Sequence, residues 1–158
     1  MNPKLNPFWQ RARAAHPELP EELPEAWAFG ATSEHADELL GLVIDGTKTA
    51  TAASVWDHEH DGDPFPEPGE FSIVLDGRGE PRAVIETTSL TVVPFDQVTA
   101  EHAFKEGESD RTLASWRDIH ERFWRNHSSS PRGYEPAMPV ACEEFRLVYA
   151  EPGPSSSS

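Results

Sequence analysis

The stretch Ser33-Glu34-His35-Ala36-Asp37-Glu38-Leu39-Leu40-Gly41-Leu42-Val43-Ile44-Asp45-Gly46-Thr47-Lys48-Thr49-Ala50-Thr51 decides how this chain is read. Ala36, Leu39, Leu40, Val43 and Ile44 recur at i, i+3, i+4, i+7 and i+8, which lays one apolar stripe along an α-helix. Ser33 is placed to cap that helix, Glu34 and Asp37 suit its positive end, and Gly46 is a plausible stop. Beyond Gly46 the period changes. Phe71, Ile73 and Leu75 alternate with polar neighbours, Asp76-Gly77-Arg78-Gly79 reads as a hairpin turn, and the Val-, Ile- and Thr-rich residues 83–93 read as the returning strand.

Working outward, residues 99–106 predict a short helix and 110–127 a longer one, with Leu113, Trp116, Ile119 and Phe123 on one side. Residues 128–139 read as a loop, and 140–149 as a last strand in which Phe145, Leu147 and Tyr149 alternate. Upstream, Pro7 opens a short helix to about Ala15 that offers Phe8, Trp9 and Ala12 for docking, followed by a Pro/Glu connector. The organisation expected is an N-terminal helix and connector over 1–26, one main domain over 27–150, and a low-complexity, disordered tail over 151–158. Strands interrupted by a few helices, without βαβ alternation, make this an α+β domain: a small, mostly antiparallel β-barrel flanked by helices.

Composition narrows the function. Among 158 residues, 13 Lys and Arg face 28 Asp and Glu, a formal charge of −15. That excess opposes loose electrostatic binding to long nucleic acid, and no DNA specificity is evident. Lone Cys142 excludes an internal disulfide. No run approaches the roughly 18–20 apolar residues of a membrane span, and the N-terminus lacks the apolar core of a secretory signal, so a cytoplasmic monomer or weak dimer is expected. The charge is uneven: Arg111, Arg117, Arg122, Arg125 and Arg132 form a local cationic strip against only Asp118 and Glu121.

Four clusters could carry chemistry. Lys48 is the only charge in the small, hydroxylated run 46–51, where a cleft would desolvate it towards a useful base; the plainer reading is a loop lysine. Lys48 and Thr51 would meet only if the backbone turns or bulges between them. Glu86 shares a strand side with Val84, Thr88 and Leu90, an unusual place for a carboxylate; the plainer reading is a solvated edge residue. Asp57-His58-Glu59-His60-Asp61-Gly62-Asp63 opens like a calcium loop, but Pro68 stands where the bidentate Glu belongs, and His58 and His60 lack a third zinc ligand. It reads as an acidic loop, with no metal ligands assigned. On the helix over 110–127, Arg111, Arg122 and Arg125 lie opposite the apolar stripe. Pairs Asp118–Arg122 and Glu121–Arg125 favour a solvated face over phosphate contact.

The ordered series Ala28-Phe29-Gly30, Gly46-Thr47-Lys48-Thr49-Ala50-Thr51, Pro68-Gly69-Glu70-Phe71, Ala83-Val84-Ile85-Glu86, Glu106-Gly107-Glu108, Trp116-Arg117 and Met138-Pro139-Val140 resembles the ASCH domain family of the PUA-like superfamily. The resemblance implies a β-barrel with a Gly-x-Lys motif on the floor of a cleft, and RNA-related roles. One branch is ribonucleolytic. Another removes acyl groups from N4-acylated cytidines with a Lys, a Thr and a Glu, which map by motif onto Lys48, Thr51 and Glu86. The family pattern Gly-x-Lys-x-x-Thr-x-Arg ends here in Ala53, so Arg82 or an Arg of 111–132 would have to anchor substrate.

Three functions are therefore expected in order. A ribonuclease-type hydrolase of short or single-stranded RNA would use Lys48 to stabilise the developing charge, Glu86 for the proton and Thr51 to position a phosphate oxygen. An amidohydrolase of N4-acylcytidine-type nucleosides would use Thr51 as nucleophile, neutral Lys48 as its base and Glu86 as proton shuttle. A non-catalytic RNA or nucleotide reader would stack bases on Trp56 or Trp124. The substrate contacts expected in each case are drawn from Gly46, Thr49, Trp56, Arg117, Arg122 and Arg125. No cofactor is legible, although a divalent ion could assist the first chemistry.

Overall fold

Thr32, one residue before Ser33, caps the diagnostic helix in the computed structural model, which describes residues 3–30 and 32–151. Its hydroxyl accepts the His35 amide at 3.1 Å, and the helix α2 runs Ser33–Ile44 after α1 (Leu5–Ala15) and β1 (Glu25–Trp27). Gly46 follows with φ +88°, a left-handed turn that suits glycine, and β2 (Ala50–Ser54) begins shortly after. Then come α3 (Val55–Asp61), β3 (Phe71–Leu75), β4 (Pro81–Pro94), a 3₁₀ turn at Phe95–Gln97, α4 (Ala100–Glu106), α5 (Leu113–His127) and β5 (Pro139–Ala150). The expected tail beyond Glu151 lies outside the described residues.

The strands form one curled sheet in the order β1-β3-β4-β5-β2, parallel only between β1 and β3. It is a half-barrel rather than a closed barrel, because β1 and β2 remain its two edges among the described residues. The long β4–β5 pair is its spine. On one face, Val74, Ala83, Ile85 and Phe145 pack against Leu39, Leu40 and Val43 of α2. On the other, Ile73 and Val84 receive Phe8, Trp9 and Ala12 of α1, and Val140 receives Trp116 and Trp124 of α5.

Three local expectations change. The acidic run at 57–63 is largely helical: Ser54 caps α3, and Gly62 ends it in the left-handed conformation. Phe145, Leu147 and Tyr149 do not share a face. Val84 pairs with Tyr149 and Ile85 with Leu147, so Val148 is an extra residue, and this bulge sends Tyr149 to the α1 side. On α5 the buried stripe is Trp116, His120 and Trp124, with Ile119 and Phe123 only half-buried. Aromatic packing turns the helix: Trp116 stacks on Phe95 at 5.3 Å and on His120 at 4.2 Å, while Trp124 meets Phe95 edge-on at 5.9 Å.

Candidate active site

Gly46 and the turn after it carry Lys48 into the protein, where it is only 2% exposed. Its Nζ donates to the carbonyls of Ala50 at 2.9 Å and Glu106 at 3.4 Å. Glu108 Oε2 stands 3.4 Å away, Glu106 Oε1 3.6 Å, and the Phe29 ring centroid 5.4 Å. A buried ammonium survives on such pairing, since an isolated one would surrender its charge.

Glu106 is the hub of this cluster. Its Oε2 takes the Trp116 indole N–H at 2.6 Å and faces His102 Nε2 at 2.6 Å, while His120 Nε2 lies 3.3 Å from Oε1. Burial alone would raise this carboxyl, but the charges of His120 and Lys48 and the His102 hydrogen bond hold it well below its ordinary 4.5. Burial works to lower His120, but the Glu106 charge and hydrogen bond, the Glu108 charge and the Trp116 carbonyl together outweigh it, so the imidazole titrates above its ordinary 6.5. Ligand atoms of Glu106, Glu108 and His120 lie within 4.8 Å of one another, a spacing that suits a metal ion. Lys48 already places a cation against two of these carboxylates.

A cavity of about 770 Å³ opens on the α2 side of the sheet. Its floor is Thr51, Ala53, Leu90, Ala141 and Glu143, on strands whose register sets Thr51 and Leu90 opposite Glu143. Its walls include Trp27, Phe29, Phe65, Phe71 and His58, and the His58 ring stacks on Phe65 at 3.9 Å. Lys48 does not line it, but Phe29 and Glu143 do, and Lys48 bears on both: Glu143 is pushed up by burial, opposed by the Thr87 hydrogen bond and by the Lys48 charge.

The expected site residues therefore part company. Thr51 faces the cavity and Lys48 lies behind its wall. Glu86 does not join them. Alternation puts it with Val84 on the opposite sheet face, where Arg146 pairs with it, Nε to Oε1 at 2.7 Å. Thr49 is exposed and held by backbone bonds to Lys105 and Phe145, and Gly46 is exposed at its turn. The Arg132 guanidinium covers one face of the half-buried Trp56 ring at 3.6 Å, and Trp124 is buried in the core and offers no face to a base. Arg117 donates to the Asp96 carbonyl. Arg122 pairs with Asp118, and Arg125 with Glu121 and the Tyr134 ring.

The residues missed by sequence reading are Glu106, Glu108, His120 and Glu143. Glu106 and His120 stood within the quoted family strings or on α5, yet nothing in their spacing showed that two helices would close on Lys48. Glu143 had a signal: a carboxylate in step with Phe145 on an alternating strand.

The structure is similar to solved ones. A crystal structure of a protein from Enterococcus faecalis V583 superposes with a TM-score of 0.82 at 32% identity, covering 93% of this chain and 89% of that one. The ASCH domain of Lactobacillus crispatus JV V101 gives 0.83 at 23% identity over 94% and 96%, a likeness of fold. No curated protein matches in sequence. Residues 25–149, which hold Lys48, its carboxylates and the cavity floor, match the ASCH domain, and the chain belongs to the ASCH domain family.

Proposed function

We propose that this protein hydrolyses a small, uncharged substrate of nucleoside type, with the base in the cavity and Thr51 beneath the scissile bond. One observation carries the reading: among the described residues the cavity is lined by Glu22, Glu25, Asp63, Glu70 and Glu143, with no Lys or Arg. Such a wall repels phosphodiesters, while a neutral ring gains from stacking beside Trp27, Phe65 and His58. Arg117, Arg122 and Arg125, the candidate phosphate contacts on α5, are paired within the protein. Deacylation of a modified nucleoside is therefore favoured over RNA cleavage. An RNA role survives in one form, the capture of a single unstacked residue by its base.

In this reading the Thr51 hydroxyl attacks the acyl carbon and the C–N bond breaks. The hydroxyl proton reaches the leaving nitrogen, and water then releases the acid from Thr51. Lys48 is the relay, because passing a proton to Glu108, whose Oε2 stands 3.4 Å from its Nζ, leaves an amine able to accept the next one. Its hydrogen bond to the Ala50 carbonyl sets it at the residue before Thr51.

The test is one purified protein assayed against N4-acetylcytidine and against short single-stranded RNA. Release of cytidine with intact RNA is the expected result. Shortened RNA with untouched N4-acetylcytidine overturns the reading.

A further inference from the structure

Glu143 is left unexplained by that chemistry. It is 7% exposed on the cavity floor, and its one hydrogen bond among the described residues comes from the Thr87 hydroxyl to Oε2 at 2.8 Å. No Lys or Arg forms a salt bridge with it there, since Lys48, the cation whose charge it feels, is held by Ala50, Glu106 and Glu108. A carboxylate sunk in a partly apolar floor costs stability unless something satisfies it. Thr87 satisfies one oxygen. The residue lines the cavity, so the remaining acceptor capacity is presented to whatever enters.

We infer that Glu143 is the specificity-determining residue of this cavity: its carboxylate accepts an N–H from the ring edge of the ligand. The cavity thus takes an unphosphorylated ligand with an exocyclic amine or amide N–H at the position that Glu143 meets and rejects one with a carbonyl oxygen at that position. Two acceptors facing each other leave both unpaired, the situation in which binding sites discriminate best. The five lining carboxylates add rejection of a phosphate. This inference rests on the nucleoside-type reading above.

The test is calorimetric titration of the full chain with cytidine, uridine and cytidine 5′-monophosphate, which differ in these two features. Cytidine should bind at least ~10-fold tighter than uridine, and the monophosphate should bind more weakly than cytidine. Glu143→Gln keeps the shape and the Thr87 bond, and its amide can turn an N–H toward the uridine carbonyl, so the preference should vanish or invert. Glu143→Asp keeps the charge but withdraws it, and should weaken cytidine without admitting uridine. Equal binding of cytidine and uridine by the wild type, or an unchanged preference in both folded variants, overturns the inference while the nucleoside cavity stands. Failure of the wild type to bind any nucleoside removes both.

Discussion

Lys48 is a buried cation whose charge is balanced by carboxylates far along the chain. A cleft-lining lysine would be dispensable for folding, but this one is 2% exposed with Glu106 and Glu108 against it. Lys48→Ala should therefore lower stability by about 3–5 kcal/mol, read by chemical denaturation, because it strips a buried pair of one partner. Thr51 and Glu86 separate in the opposite sense. Thr51→Val removes the cavity hydroxyl with little change in volume and should cut turnover of an acylated nucleoside by about 10³-fold or more. Glu86→Gln should leave turnover nearly unchanged, since Glu86 pairs with Arg146 on the other sheet face. A large loss of turnover in Glu86→Gln would return Glu86 to the site.

At the scale of elements, α4 and α5 are joined through charge as well as packing. Trp116, His120 and Lys48 converge on Glu106, so the junction responds to pH. Glu106 titrates below its unfolded value, so its contribution is present above about pH 4.5 and is lost as pH falls through the folded value. His120 titrates above its unfolded value, so its contribution is present below about pH 6.5 and is lost as pH rises through the folded value. The melting temperature should peak between those limits, and a scan from pH 3 to about 9 checks it; a flat profile would mean the cluster stabilises nothing. The outer face of α5 behaves differently. Arg122→Ala and Arg125→Ala remove exposed i,i+4 pairs and should each cost under ~0.5 kcal/mol by thermal melting.

Over the whole molecule, a formal charge of −15 and an acid-lined cavity act together. Binding of an uncharged nucleoside releases no counterions, so its affinity should change less than ~2-fold between 50 and 500 mM salt. Long RNA should associate no more tightly than a single captured nucleoside, without a salt slope. Tight RNA binding with a steep salt slope would instead reveal a phosphate track outside the cavity. No described helix is long and apolar enough to cross a membrane.

The α+β architecture was legible in the sequence because it depends on local periodicity. The helix at Ser33–Ile44, the stop at Gly46 and the hairpin between β3 and β4 follow from spacing within about twenty residues. Cap position and the α5 stripe were less legible, since Thr32 and Ser33 are chemically equivalent caps, and only Phe95 shows which way Trp116 turns. Lys48 could be singled out as the only charge of its small run, Thr51 came only with the family resemblance, and that was the limit of local pattern for the site. Which carboxylate meets Lys48 was settled by tertiary structure. Glu86 is the one acid of its strand and Glu106 sits in the charged run Lys105-Glu106-Gly107-Glu108, but strand alternation turns Glu86 outward to Arg146, while the packing of α4 against β2 and α5 drives Glu106 inward. A buried charge is recognised by what surrounds it, and its surroundings come from segments that periodicity cannot connect.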